Sequence, residues 1–466
     1  MRTRRWQHLV RVCERWRQII YASPKYLDLY FYCSNRYRFK KTLRRWPAFP
    51  LILDYCIACD DMDGEQDDLI AALGHRERVQ HIDITMTSED SMDGVGSALA
   101  KHFPLLTYLC LFADPRDERD RPCFLLSLLG GSAPCLQHLR IQGIIFPDLP
   151  SFLPSAPNLL SLDINNIPPY SYVSPQEMVR GLTTLTKLRA LGITYSADEL
   201  RGYGKTEGRP DPIHAVLPAL TELEFEGDSE YLEDFVSRID APRLDELSVR
   251  IEHYEQGVRT RLSQFIDRTN LKLAQFRHAQ VILDHDYTFV ELDLPQGECH
   301  RACLFLGISY EKDKGILFLV SSIANVLNQL VPMLSDADYL SIKNMICLNE
   351  EERDALESTD WLPLFRSLSA VEAIEVSGGL AGYITSALDD APEEMADTLF
   401  PVLKSLWFDD EEQTDRGKPV GSTERFLSLR RHSGRPVTIV NSRDEFAERL
   451  NAHQLEALGK RVWTRC

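Results

Sequence analysis

The chain has 466 residues, of which 44% are hydrophobic and 26% charged, so it is long enough to bury a sizeable core. This composition excludes collagen-like and globally disordered proteins. Eleven cysteines are spread along the chain and no secretory leader is recognisable. We therefore expect reduced thiols and a cytoplasmic or nuclear protein.

The net charge of −18 is distributed unevenly. Residues 1–46, which we call the basic head, carry a net charge of +11. The rest of the chain, the acidic body, carries −29. An acidic body repels phosphate, so we expect no nucleic-acid partner. The basic head is either a binding segment for an acidic partner or a solvated helix face.

The first predicted element is an amphipathic helix over residues 6–20. Its apolar residues recur at steps of three and four, and Ser23 followed by Pro24 predicts its end. The segment is rich in arginine and poor in acids, as mitochondrial presequences are. It has no serine before Ser23, however, so a presequence is the less favoured interpretation.

A repeated phrase then runs along the chain. The pattern Pro-x-Leu-x-x-Leu-x-apolar occurs six times, and three further copies lack the proline. The nine copies occupy residues 79–84, 104–111, 134–141, 157–164, 188–193, 218–225, 242–249, 371–376 and 401–408. From residue 79 to residue 244 the copies recur at steps of 23 to 32 residues.

The spacing of the phrase predicts its structure. The Leu-x-Leu part alternates as a strand does, and amphipathic helices are predicted between copies, at residues 176–185 and 230–239. A short strand plus a helix at this period is typical of a leucine-rich-repeat solenoid, an α/β fold with a parallel sheet. The alternative is a doubly wound α/β domain whose strands are rich in leucine.

No copy of the phrase lies between residues 249 and 371. Four strands are predicted there, at residues 276–283, 287–294, 303–310 and 339–342, with a helix at 316–334. Residues 315–335 are uncharged over a length that could cross a bilayer, but their polar side chains gather on one helical face. We therefore predict a helix packed on a core and no membrane span.

The domain organisation follows from these elements. We predict a partial helical segment at residues 1–26, a connecting segment at 27–75, and a leucine-rich-repeat-like solenoid at 76–440. The solenoid should be irregular around residues 250–370, and a helical tail should follow at 441–466.

Motifs that carry chemistry are incomplete in this sequence. A phosphate loop ending at Gly204-Lys205-Thr206 would need glycine where Glu199 stands, and Cys56-x-x-Cys59 has no second pair of matching spacing. The run Gly378-Gly379-x-x-Gly382 predicts a tight turn better than a dinucleotide site. We therefore expect no catalytic residues, no metal and no cofactor, and a protein that is not an enzyme.

The N-terminal residues carry a family resemblance. The run Trp6-x-x-Leu9-x-x-Val12-Cys13-x-x-Trp16-Arg17-x-Ile19-Ile20-x-x-Ser23-Pro24 resembles the second half of an F-box. It is most similar to the F-box proteins of mushroom-forming fungi, and residues 239–244 and 433–437 resemble later phrases of that family. The Leu-Pro-x-Glu-x-Leu segment that opens an F-box does not precede the matching run.

The resemblance implies a function. F-boxes dock onto the Skp-type adaptor of a cullin–RING ubiquitin ligase, and the family would use Leu9, Val12, Cys13, Trp16 and Ile19 for that contact. The same apolar side chains could instead pack against residues 27–53. The expected protein is a substrate-recognition subunit of the SCF ubiquitin ligase, which binds an unknown protein substrate through its repeat surface. A leucine-rich-repeat scaffold without a ligase role is the main alternative, and an α/β enzyme is a remote one.

Overall fold

The chain is described here from a computed structural model. The described residues are 12–22, 30–34, 49–57, 65–86, 92–113, 128–167, 172–195, 213–251, 260–273, 276–284, 287–293, 304–309, 320, 324, 334, 336–345, 350–357, 360–366, 368–392, 395, 398–408 and 423–441. They form two compact units, Met1–Glu224 with Arg238–Arg243 and Phe225–Ser237 with Leu244–Cys466. Both units are α/β, with a mostly parallel sheet and helices.

The first unit is built on strands that follow one another in chain order. Its strands are β1 (Phe31–Cys33), β2 (Leu51–Ile57), β3 (Val79–Met86), β4 (Tyr108–Ala113), β5 (His138–Gln142), β6 (Ser161–Ile167), β7 (Ala190–Tyr195), β8 (Ala215–Val216), β10 (Ile239–Asp240) and the first half of β9 (Glu222–Gly227), up to Glu224. From β1 to β7 each strand pairs in parallel with the next. The first residues of β9 bond to the chain before β7, and β8 pairs with β10 in a separate small sheet.

The repeated phrase accounts for this order. In five copies the proline is the second residue of a turn closed by a backbone hydrogen bond. The N–H of Leu106, for example, donates to the carbonyl of Phe103, and the N–H of Leu136 donates to that of Ala133. Proline suits that position because its fixed φ fits the turn and its missing N–H is not needed there. The leucines that follow face one side of the sheet and are buried. The predicted inward leucines and parallel neighbouring strands are confirmed for these copies.

Five α-helices of the first unit lie within the described residues. They are α1 (Glu14–Ala22), α2 (Glu65–Leu73), α3 (Met92–Leu99), α4 (Leu149–Phe152) and α5 (Pro175–Leu182). The helix predicted at 176–185 is confirmed as α5. Its N-cap Ser174 accepts a hydrogen bond from the N–H of Glu177, whose carboxylate accepts one from the Ser174 N–H.

The second unit departs from chain order in its middle. Its strands are β11 (Glu246–Ile251), β12 (His278–Leu283), β13 (Tyr287–Asp293), β14 (Leu304–Ser309), β15 (Tyr339–Asn344), β16 (Ala373–Ser377), β17 (Ser405–Phe408) and β18 (Thr438–Asn441). They lie in the order β11, β14, β13, β12, β15, β16, β17, β18. All pairs are parallel except those of β13, which is antiparallel to both β12 and β14. The strands predicted between residues 249 and 371 are therefore present, as an inserted antiparallel meander of β12, β13 and β14.

The helices of the second unit pack beside these strands. They are α6 (Ser229–Val236), α7 (Thr260–Ile266), α8 (Glu350–Glu357), α9 (Leu362–Arg366), α10 (Ala381–Asp389) and α11 (Glu424–His432). Most of the helix predicted at 316–334 lies outside the described residues, but Val320, Ala324 and Leu334 within it are helical and buried. Among the described helices, none is long and apolar enough to cross a bilayer.

Two strand ends carry a glycine turn of the same kind, one in each unit. Gly143 after β5 has a φ of +67°, and Gly378 after β16 has a φ of +72°. A Cβ atom at either position would collide with a backbone carbonyl oxygen, that of Ala113 or of Asn344. Both glycines are therefore required by φ and by space. For Gly378 this agrees with the predicted tight turn.

Three predictions need a correction or fall outside the described residues. The N-terminal helix is not continuous from residue 6 to residue 20, because Val12 is in a turn and the described helix begins at Glu14. The sheet already begins at Phe31, inside the segment predicted to connect to the repeats. Beyond Asn441, the tail predicted at 441–466 lies outside the described residues.

Candidate partner-binding surfaces

The residues with a predicted adaptor contact lie on and just before α1. Cys13 precedes the helix, and its sulfur accepts a hydrogen bond from the N–H of Trp16 at 3.5 Å. Its carbonyl accepts the first helical bond, from the N–H of Arg17. Cys13 therefore occupies the N-cap position and explains why the helix begins at Glu14.

One side of α1 attaches the helix to the sheet. Ile20 is buried, and the ring of Tyr21 meets that of Phe49 edge-on at 5.5 Å. Phe49 in turn contacts the ring of Phe31 in β1 at 5.4 Å. Tyr21 thus packs against the segment before β2, and its neighbour Ile20 is buried.

The predicted contact residues are on the uncovered part of this segment. Val12, Trp16 and Ile19 are 63%, 47% and 56% exposed. The alternative interpretation, in which Trp16 and Ile19 pack into the core against residues 27–53, is therefore not what the structure shows. Leu9 lies outside the described residues. Trp16 and Ile19 on α1 and Val12 just before it are thus large apolar side chains left exposed, and exposed apolar side chains of this kind can mark partner sites.

A second candidate surface is the partly exposed face of the sheet in the first unit. Each strand turns the residue between its two buried apolar side chains to this face. Strand register aligns these residues into one line, which we call the central row: Asp54, Asp83, Cys110, Arg140, Asp163 and Gly192. Glu224 of β9 extends the row, because the N–H of Glu222 bonds to the carbonyl of Arg189 just before β7.

Two carboxylates lie side by side at the start of the central row. Asp54 and Asp83 are register partners on β2 and β3. The pKa of Asp54 is raised by partial burial and by the charge of Asp83. The hydroxyl of Tyr32 on β1 donates a hydrogen bond to the Asp54 carboxylate. This end of the row thus holds a carboxylate pair that repels itself and favours a cation.

The middle of the central row is less charged. Cys110 has a thiol whose pKa is raised to about 12, chiefly by burial and then by the charge of Asp83. The thiol is therefore protonated at neutral pH and is a weak nucleophile. The next residue, Arg140, forms an ion pair with Asp163 at 3.2 Å.

A second carboxylate pair closes the central row. Gly192 has no side chain, and a Cβ atom there would lie 2.9 Å from a carboxylate oxygen of Asp163. The Asp163 carboxylate therefore lies over β7, towards Glu224. Burial raises the pKa of Asp163 and the charge of Glu224 raises it further, while Arg140 opposes both effects.

A second row, which we call the aromatic row, runs beside the central row, two residues earlier on each strand. It consists of His81, Tyr108 and His138, which are register partners on β3, β4 and β5. The rings of His81 and Tyr108 stack at 4.0 Å with an angle of 2° between their planes. Burial lowers the pKa of His81, and the charge of Asp83 opposes this effect. The lowered pKa favours a neutral imidazole.

The sequence motifs for chemistry contribute nothing further within the described residues. There, no three His, Cys, Asp or Glu side chains form a group that could hold a metal ion. The phosphate-loop remnant at Gly204 and the second cysteine of the Cys56-x-x-Cys59 pair lie outside the described part of the chain. The central row, by contrast, has no sequence motif of its own, although its members from Asp83 onwards are the middle residues of the Leu-x-Leu pattern.

No family model matches the chain, and no curated protein matches its sequence.

Proposed function

We propose that the protein is an F-box-type substrate-recognition adaptor of a cullin–RING ubiquitin ligase, acting in the cytoplasm or nucleus. The observation that carries the proposal is the exposure of Trp16 and Ile19 on α1 and of Val12 just before it, next to the buried Ile20 of the same helix. These are the residues that the F-box resemblance assigns to the contact with the Skp-type adaptor. An apolar surface of this kind gains free energy when a partner covers it.

The remainder of the chain supports a role in binding. We infer that the parallel strands and recurring turns form a leucine-rich-repeat-like solenoid, an architecture that presents an extended surface to partners. In this proposal the target protein binds the exposed sheet face, and the ligase supplies the chemistry of ubiquitin transfer. The protein itself is then not an enzyme and uses no cofactor.

The experiment is a binding measurement between the full-length chain and a purified Skp-type adaptor. We expect binding by the parent chain, and Trp16→Ala should weaken it about thirtyfold, as truncation of a central aromatic anchor does. Leu105→Ala is the matched control, because Leu105 is similarly exposed (43%) in the same unit but lies away from α1. It should leave the affinity unchanged.

The result also separates the alternatives. Absence of binding by the parent chain, or equal binding by the parent and Trp16→Ala, would remove the ligase link. A repeat scaffold without a ligase role would then be the better proposal. Thermal unfolding of each variant should match that of the parent, since both truncated side chains are largely exposed.

A further inference from the structure

Helix α1 carries a positive charge beside its exposed apolar side chains. We propose that Arg15 sets the charge of the partner that this helix accepts, and that the partner is a protein whose apolar groove has carboxylates at its border. The inference rests on the proposed function and deepens it, because it gives the chemistry of the surface that receives α1. It adds a specificity-determining residue that the F-box resemblance does not assign to the contact.

The orientation of α1 follows from the side chains on its packed side. Ile20 is buried, and the ring of Tyr21 meets that of Phe49, so this side of the helix faces the protein. Successive residues of an α-helix are rotated by about 100°, which places Arg15 about 140° from Ile20 and about 120° from Tyr21 around the axis. Arg15 therefore points away from the packed side of the helix.

Arg15 has apolar neighbours on this outward side. Ile19 lies one turn after Arg15, at the i+4 position, and Trp16 lies three residues before Ile19. Residues at these spacings are neighbours on the surface of a helix. All three are exposed. A partner that covers Trp16 and Ile19 must therefore also cover or border Arg15.

Charge complementarity identifies the chemistry of the partner. Within the described part of the chain, the guanidinium of Arg15 forms no ion pair and no hydrogen bond. Residues 1–26 contain seven arginines and lysines against one acidic residue, Glu14, so the field around α1 is positive. An apolar groove that covered the guanidinium without an acceptor would leave a charge desolvated and unpaired, at a cost in free energy. A carboxylate at the border of the groove offsets that cost and attracts the helix from a distance.

A purely apolar groove is the alternative partner surface. Arginine has a long apolar stem, and its side chain can bend so that the guanidinium stays in water. In that arrangement the partner needs no carboxylate, and the charge at position 15 has no effect on the affinity. The two arrangements therefore differ in their response to charge reversal and to salt.

The test measures binding of the full-length chain to a purified Skp-type adaptor at ionic strengths of about 0.05 and 0.5 M. At the lower ionic strength, Arg15→Glu should weaken binding about tenfold and Arg15→Gln about threefold, mainly through slower association. At the higher ionic strength the loss in Arg15→Glu should fall to about twofold, because salt screens the repulsion. Glutamate is favourable in the first turn of a helix, so Arg15→Glu should fold as the parent does.

Arg180→Glu is the matched control. Arg180 is an exposed arginine on α5 of the same unit, so the control makes the same change of charge away from α1. It should change the affinity less than about twofold at either ionic strength. Thermal unfolding of both variants should match that of the parent, since both side chains are exposed.

Three results with the variants would overturn the inference. Equal binding by Arg15→Glu and the parent would show that the groove is apolar without an acidic border. Equal loss in Arg180→Glu would show attraction to the charge of the whole chain. A loss in Arg15→Glu that salt does not reduce would show that the shape of the side chain matters and its charge does not. Any of these, together with weaker binding by Trp16→Ala, would leave the proposed function standing, whereas absence of binding by the parent chain would remove both.

Discussion

The two units use the same kind of strand but arrange it differently. In the first unit every strand from β1 to β7 pairs with the strand that follows it in the sequence. In the second unit the order of β12, β13 and β14 in the sheet is the reverse of their order in the sequence, so that β11 pairs with β14 and β12 pairs with β15. The comparison shows that regular phrase spacing goes with regular strand order, and that the order changes where the proline-leucine phrase is lost.

The burial of apolar side chains is the same in both arrangements. Leu292 on the antiparallel strand β13 is as fully buried as Leu223 on the regular strand β9. Pairing direction alters the neighbours of a strand along the sheet, but it leaves the alternation of inward and outward side chains unchanged. The two units therefore differ in the order in which their strands are connected more than in how their side chains are packed.

The largest effect is expected from truncation of buried leucines in each arrangement. Leu223→Ala and Leu292→Ala should each lower the free energy of unfolding by about 2–5 kcal/mol, measured by urea denaturation. Leu105→Ala, at an exposed position, should change it by less than about 0.5 kcal/mol. A near-zero effect of Leu292→Ala alone would show that the meander is not packed like the regular strands.

The glycine turns should be equivalent in the two units. Gly143→Ala and Gly378→Ala place a side chain at positive φ and against a backbone carbonyl. Each should lower the free energy of unfolding, measured by urea denaturation, by about 2–4 kcal/mol. Gly434 has a similar φ of +73° but open space around it. Gly434→Ala should therefore cost only about 1–2 kcal/mol. If all three variants were equally destabilised, the close approach to the carbonyl would not matter.

The smallest expected effect concerns β13 alone. The buried hydroxyl of Thr288 has no hydrogen-bond partner among the described residues, so Thr288→Val should raise the free energy of unfolding by about 1 kcal/mol. Thr269 is the control, because its buried hydroxyl donates a hydrogen bond to the carbonyl of Ile266 at 2.8 Å. Thr269→Val should lower stability by about 1 kcal/mol, and the same sign in both variants would contradict this explanation.

Much of the fold could be predicted because the phrase specifies it locally. Proline before the turn and leucines at alternate positions determine where a strand begins and which side is buried. The reversed order of β12 to β14 could not be predicted in this way. Alternation in residues 276–294 indicates two strands and a connecting turn, but it does not indicate which neighbouring strand each will join.

The candidate surfaces were predictable to different degrees. The F-box resemblance singled out Trp16 and Ile19, whose exposure agrees with a role in contact, but it did not indicate that Cys13 is the N-cap of α1. The central row had no motif, because its members are single residues separated by whole repeats. Only the strand register brings Asp54 beside Asp83, and that register depends on the connecting segments as well as on the strands.

The reversed order of the meander has a consequence for synthesis on the ribosome. A regular strand such as β4 can pair with β5 as soon as β5 has left the ribosome. By contrast, β11 pairs with β14, with Leu247 opposite Leu304, and β14 is made only after β12 and β13. The edge of β11 that β14 covers therefore has no partner while β12 and β13 are being made. Unpaired edges of this kind are sites of misassociation, so the nascent chain should be most vulnerable to aggregation during this interval.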